Sequence, residues 1–446
     1  MWLLLKFYSL IHLLLLPLIF PLELRKRDPK RRLIWLKEKF GFISSPRFRD
    51  NRKVIWVHAV SLGEVRAITK FLELATQEFN ICLTTTTETG RTFAEKLMRK
   101  NPNLKVYYSP FDLEFVIKKF LKKINPVALV LVETEIWPNM IYISSNYMPI
   151  FLINARLSDK SFIRYKALSF FFKPILNKIS AICTQNENYL HKFKALGVIT
   201  DKLYLTGNLK FDITIPFMKF EELEILKRPI IIAGSTHEGE EKIILTSFLQ
   251  IKEASSLLLV PRHPERFEKV YKLCQKFIGA KDVIVFKYSE LLENKPQEML
   301  KDWQEEKKMV VVIDKIGILA SLYRIADVAI IGGSFIPHGG QNPLEAIYWK
   351  VPVIIGPYMD NFPFVAEFVK EGAILQTTPE GLTEAIHVVL KDKEYRERLG
   401  EKAYAMFMRL TGGSKKTLEI INSFLKSKNQ KLTFTEFLIN DLSSKN

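Results

Sequence analysis

The feature that most constrains this chain is an alternation that occurs twice. Short, nearly wholly apolar runs rich in β-branched residues are separated by longer amphipathic stretches. In the first half the runs are VIWVHAV (54–60), ICLTTTT (81–87), VALVLVE (127–133), PIFLINA (149–155), ISAICTQ (179–185) and LYLTG (203–207). A charged break, EELEILKRP (221–229), follows. The pattern then restarts with IIIAGS (230–235), SLLLVPR (256–262), VIVF (283–286), MVVVID (309–314), VAIIGGS (328–334) and VPVIIG (351–356). Strands that are apolar on both faces need cover on both faces, and helices between consecutive strands of a parallel sheet supply it. The expected fold is therefore α/β, with two doubly wound domains in series linked near 216–229. Ligands of such sheets bind outside the carboxyl ends of the strands, so the two domains are expected to face each other across a cleft lined by strand ends. A helical amphipathic stretch follows at about 394–425, and a charged tail, 426–446, ends the sequence.

The amino terminus breaks the pattern. Residues 2–22, WLLLKFYSLIHLLLLPLIFPL, form one apolar run interrupted by Lys6 and His12. Its length is about that of a bilayer-crossing helix. Arg25, Lys26, Arg27, Lys30, Arg31 and Arg32 follow at once, and no small-residue cleavage site separates them from the run. The run is expected to be a membrane helix with the rest of the chain on the cytoplasmic side of the inner membrane. A buried or interfacial helix is the alternative, because Lys6, His12, Pro17 and Pro21 weaken a span. In either case the basic cluster would lie against anionic headgroups. The whole chain carries 66 Lys and Arg against 48 Asp and Glu, a net charge of +18. Such an excess selects an anionic partner: acidic lipid, a phosphorylated substrate or nucleic acid. Nucleic acid is disfavoured, because the aromatic residues lie within apolar runs and are not interleaved with basic ones. Cys82, Cys183 and Cys274 are too far apart in sequence for a zinc motif and suit a reducing compartment.

The candidate chemistry sits where strands end. In HAVSLGE (58–64), Glu64 falls in the first turn of the next helix, as a proton acceptor or as a capping acid. The helix dipole lowers the pKa of an acid there, so a useful base needs partial burial to offset it. Glu133 and Glu135 of ETEIWPN (133–139) follow an apolar strand. Lys210 of GNLKFD (207–212) lies near the link. In the second half, Ser235 and Thr236 offer donors to an anion at a helix start. Arg262 of VPRHPERF (260–267) suits a phosphate, or pairs with Glu265. GGSFIPHGGQNPLEA (332–346) has two glycine pairs that allow a close backbone approach. There Asn342 reads as an N-cap, Pro343 as the first helical residue and Glu345 as the third, an acceptor for a ribose or base or part of a capping box. No DxD triplet and no P-loop motif occur.

HAVSLGEV, TTTTETG, ETEIWPN, NARLS, GNLKFD, GSTHEGEE, PRHPERF and GGSFIPHGGQNPLEA occur in this order. Together they resemble the Kdo transferases of lipopolysaccharide synthesis, 3-deoxy-D-manno-octulosonic acid transferases that use CMP-Kdo, over about residues 30–425. The resemblance implies a GT-B fold of two Rossmann-like domains, with a carboxyl-terminal helix crossing back to the first, and no cofactor or metal. It implies a membrane anchor at 1–24, an acceptor domain at 25–220, a CMP-Kdo domain at 221–405, and a crossover helix and tail at 406–446. It places the base on Glu64 and transition-state stabilisation on Glu135 and Lys210. It maps CMP contacts to Pro261 and Arg262, to Ile316, Gly317 and Ile318, and to Asn342, Pro343, Leu344 and Glu345. The implied reaction is inverting transfer from CMP-Kdo to a lipid A precursor in an anionic membrane. The chain departs from the family at DKIGIL (314–319), where Ile318 supplies no carboxylate and any contact must come from backbone. It departs again at Gly340, Gln341, Asn342, where many members have Gly-His-Asn. A membrane-associated GT-B enzyme using a UDP-sugar is the nearest rival. A sugar-nucleotide epimerase shares the architecture but has no need of residues 2–22.

Overall fold

The structure, a computed structural model, describes residues 1–278, 283–293 and 308–427. It forms two compact units: Met1–Asp212 with the segment from Leu410, and Ile213–Arg409. Most of the tail expected to follow the last helix lies outside the described residues.

The first unit is built on a seven-stranded parallel sheet. Its strands are β1 (Val54–His58), β2 (Asn80–Thr85), β3 (Leu104–Tyr108), β4 (Ala128–Val132), β5 (Ile150–Ala155), β6 (Ala181–Thr184) and β7 (Leu203–Leu205), in the order β3-β2-β1-β4-β5-β6-β7. Alternate residues feed two cores. Trp56, Leu129, Leu131 and Leu152 pack on one face with Phe120, Ile141 and Phe193 of the covering helices. Ile55, Val57, Val130 and Ile153 pack on the other with Val65, Phe71 and Ala94. This double burial is why the strands read as continuous apolar runs. β3 was not expected: LKVYY buries only Leu104, Val106 and Tyr108 fully, as an edge strand does. The Gly413–Ser427 helix returns to this unit. Asp212 starts it, its carboxylate accepting from Gly412 N at 2.6 Å and Ser414 N at 2.5 Å. Leu418 and Ile421 then join the second of the two cores.

The second unit repeats the plan with β8 (Ile230–Thr236), β9 (Ser256–Pro261), β10 (Val283–Lys287), β11 (Lys308–Val312), β12 (Val328–Ile331), β13 (Val353–Ile355) and β14 (Leu375–Gln376). Their order is β10-β11-β9-β8-β12-β13-β14, all parallel. In each sheet the direction of winding reverses once, between β1 and β4 and between β8 and β12. A crevice opens at such a switch point.

The amino-terminal run does form one helix, Trp2–Arg25. The expected membrane crossing is not what the structure has: among the described residues, no helix is long and apolar enough to cross a membrane. The helix is instead held along the first unit by its side chains. Lys6 Nζ donates to Glu114 at 2.7 Å, and Ser9 Oγ accepts from Asn139 Nδ2 at 2.9 Å. The rings of Tyr8, His12 and Phe20 meet Phe171, Phe111 and Trp35. The polar residues that weaken the run as a span are thus among those that dock it. Its other face, including Leu3, Phe7, Leu10, Leu14 and Leu18, is exposed.

Candidate active site

In the first unit the polar residues gather at the switch point. Ser61 caps the Leu62–Ala67 helix, and Glu64 is its third residue, the spacing of a capping box. Val60 N donates to Glu64 Oε2 at 2.7 Å and Ser61 Oγ to Oε1 at 3.0 Å. The side chain is buried, and among the described residues no cation pairs with it. Burial, then the neighbouring carboxylate of Glu135, push the Glu64 pKa up to about 7 against the pull of those two donors. The partial burial that a base would require is therefore present.

Beyond β4 the chain turns sharply, and Glu133 sits at φ +59, a left-handed conformation rare outside glycine. Its buried carboxylate accepts from Arg156 Nε at 2.5 Å and pairs with Lys210 Nζ at 3.4 Å. Glu135 accepts from Trp137 Nε1 at 2.7 Å, and burial raises its pKa. Lys210 lies on a short 3₁₀ turn, Leu209–Phe211, capped by Asn208 and fixed by Asn154 Oδ1, which accepts from Leu209 N at 3.1 Å. Asn154 is itself left-handed, at φ +51. Three carboxylates thus stand in two states: Glu133 is neutralised by two cations, while Glu64, buried, and Glu135, half-buried, have neutral donors.

The second unit collects its polar loops at the β8–β12 switch. Ser235 is left-handed, at φ +59, and the Thr236 hydroxyl is buried without a partner among the described residues. Arg262 N donates to Thr236 O at 2.9 Å, which fixes the loop after β9. The Arg262 side chain is exposed and makes no ion pair among the described residues, so the pairing with Glu265 does not form. Pro261 is buried beside it. Ile316 is exposed and Ile318 buried, with Gly317 at φ +86 and open space where a Cβ would stand. The helix after the glycine-rich loop is Leu344–Tyr348, starting one residue later than expected. Pro343 already has helical angles, and Asn342 Oδ1 accepts from Leu344 N at 3.2 Å, so Asn342 does the capping. The glycine pairs serve the protein's own packing: a Cβ on Gly332 would meet Ser235 O at 2.3 Å, and one on Gly340 would meet Met359 Sδ at the same distance. Glu240, fully buried, ties the loops together by accepting from His237 N and Gly333 N at 2.7 Å. Burial pushes its pKa up to about 7.

Set against known proteins, the chain is 33% identical over 443 residues to the 3-deoxy-D-manno-octulosonic acid transferase of Haemophilus influenzae, covering 94% of this chain and 98% of that one. The chain belongs to the Kdo transferase family. The family model described as 3-deoxy-D-manno-octulosonic-acid transferase (kdotransferase) matches residues 35–213 of this Kdo transferase, and that of glycosyl transferases group 1 matches 293–406. The Aquifex aeolicus Kdo transferase is 32% identical over 337 residues, covering 74% of this chain and 84% of that one. A solved UDP-GlcNAc 2-epimerase from Neisseria meningitidis aligns over 84% of this chain and all of its own, with a TM-score of 0.52 and 14% identity, a likeness of fold.

For a Kdo transferase, the sequence marks most of this geometry and misses some of it. Glu64 and Glu135 come together, but Lys210 meets Glu133. Arg156, Glu240 and the ring of His237 were not singled out, although NARLS and GSTHEGEE contain them. The capping box of Ser61 and Glu64 was legible as Ser-x-x-Glu.

Proposed function

We propose that this Kdo transferase moves Kdo from CMP-Kdo to a hydroxyl of a lipid A precursor, with inversion and without a metal, and that Glu64 is the general base. The observation that carries this reading is the carboxylate of Glu64: buried, without a cationic partner among the described residues, and with its pKa pushed up to about 7. The acceptor hydroxyl gives its proton to Glu64 as its oxygen bonds to the anomeric carbon, and the bond from that carbon to the CMP phosphate breaks. The carboxylate of Glu135 stabilises the positive charge that develops on the sugar. Lys210, anchored on Glu133, supplies compensating positive charge. CMP is held by Pro261 and Arg262, by the backbone of Ile316, Gly317 and Ile318, and by Asn342, Pro343, Leu344 and Glu345. The absence of a DxD triplet supports transfer without a metal.

The same reading places the enzyme on the cytoplasmic face of the inner membrane, attached in the plane of the interface. The Trp2–Arg25 helix has one face docked on protein, and the other, with exposed Leu3, Phe7, Leu10, Leu14 and Leu18, suits an apolar medium. The test is incubation with CMP-Kdo and a tetraacylated glucosamine disaccharide, with a chelator present and products read by mass spectrometry. Increments of one or more Kdo units are expected. An increment with a UDP-sugar and none with CMP-Kdo sinks the reading.

A further inference from the structure

Three histidines from three loops meet at the β8–β12 switch of the second unit. The rings of His237 and His338 stack with centroids 4.5 Å apart and planes 24° apart, and His263 meets His237 edge-on at 5.6 Å. Gly333, at φ +68, leaves the space the His237 ring fills. Gln341 Nε2 lies 3.1 Å from His237 Nε2. If the amide donates there, the ring hydrogen resides on Nδ1, which has no protein acceptor among the described residues. The charged groups around the stack are known. Glu240 accepts from the His237 backbone N–H, and Arg266 is taken up by Glu241 at 2.8 Å. Arg262 has no ion pair among the described residues. Burial first, then His338, His263 and the two guanidiniums, hold the His237 pKa down to about 4, so at neutral pH its ring is a neutral donor. Gln341 and His338 thus both hold the His237 ring, one at Nε2 and one by stacking.

The donor of the proposed reaction carries two anions, the phosphate of the nucleotide and the carboxylate of the acidic sugar. Arg262, exposed and without an ion pair among the described residues, is the match for the first. We propose that the paired rings of His237 and His338 hold the second, the carboxylate of the sugar acid, through their free N–H groups. This rests on the reading of CMP-Kdo as donor and adds a specificity site to it. Two ring edges side by side offer a carboxylate one N–H for each oxygen, and Gln341 fixes the angle of one ring.

The inference is tested on the full-length enzyme by KM for CMP-Kdo, kcat, and the inhibition constant of CMP, which lacks the carboxylate. His338→Phe keeps the stack and removes the N–H groups. It should raise KM for CMP-Kdo about tenfold, the worth of one hydrogen bond to a charged group, while CMP inhibits as in wild type. His338→Gln, which keeps a donor, should recover most of that loss. Arg262→Ala, by contrast, should weaken CMP and CMP-Kdo together. Wild-type KM in His338→Phe, or CMP and CMP-Kdo weakened in step, overturns the carboxylate site while leaving the donor assignment intact. A wild-type enzyme inert toward CMP-Kdo overturns the donor reading and this site with it.

Discussion

At the residue scale, the chemistry turns on how differently three nearby carboxylates are treated. Glu133 has Arg156 and Lys210 as partners, whereas Glu64 has a backbone N–H, a hydroxyl and a like-charged neighbour. An ionised carboxylate is the active form of a base. With the Glu64 pKa raised to about 7, kcat/KM should therefore climb with pH through that value and level off above it. Glu64→Gln keeps the size and the caps but removes the basicity. Turnover should fall by roughly 10²–10⁴-fold and the pH limb should vanish, as rate profiles across pH 5–9 would show. A variant that keeps more than about a tenth of wild-type turnover, outside that range, would reduce Glu64 to a helix cap. Glu133 does not fit the same role. Its carboxylate is already taken up by Arg156 and Lys210.

At the scale of elements, two helices decide how the first unit is completed. The Gly413–Ser427 helix depends on Asp212, whose two short bonds begin it. Asp212→Ala should cost about 1–2 kcal/mol, the worth of a strong helix cap, seen as a lower urea midpoint for the first unit. An unchanged midpoint would mean that Leu418 and Ile421 hold the helix by packing alone. The Trp2–Arg25 helix presents Leu10 and Leu14 outward, where charge would not disturb the docked face. Leu10→Glu with Leu14→Glu should leave the fold intact and shift the protein from vesicles to the supernatant in flotation. Retention on vesicles would place the attachment elsewhere. Deleting the helix is the poorer test, because it uncovers Phe171, Phe111 and Trp35.

At the scale of the whole molecule, the excess of 66 basic over 48 acidic residues would add a long-range attraction to the proposed apolar contact with the membrane. Binding to anionic vesicles should therefore weaken as salt rises toward a plateau set by the helix face, whereas binding to neutral vesicles should change little. Salt-independent binding to both would remove the charge from the account. The sequence by itself determined two doubly wound sheets, because strands covered on both faces must be apolar throughout and helices must lie between them. It also determined the family, through motifs local enough to be read in order, and the capping of the loop at Asn342. Other features only the tertiary structure decided, because each depends on which distant residues become neighbours. The edge strand β3 shows no continuous apolar run, since an edge is covered less. Lys210 has Glu133 and not Glu135 beside it because the turn after β4 places the one inward toward Arg156 and leaves the other against Trp137. The glycines at 332 and 340 answer to Ser235 and Met359, contacts across more than ninety residues in one case. The amino-terminal helix lies along its own unit because Glu114 and Asn139 stand opposite Lys6 and Ser9. The pKa of Glu64 rises because burial and Glu135, neither visible at the spacing of a capping box, outweigh the Val60 N–H and Ser61 hydroxyl that lower it.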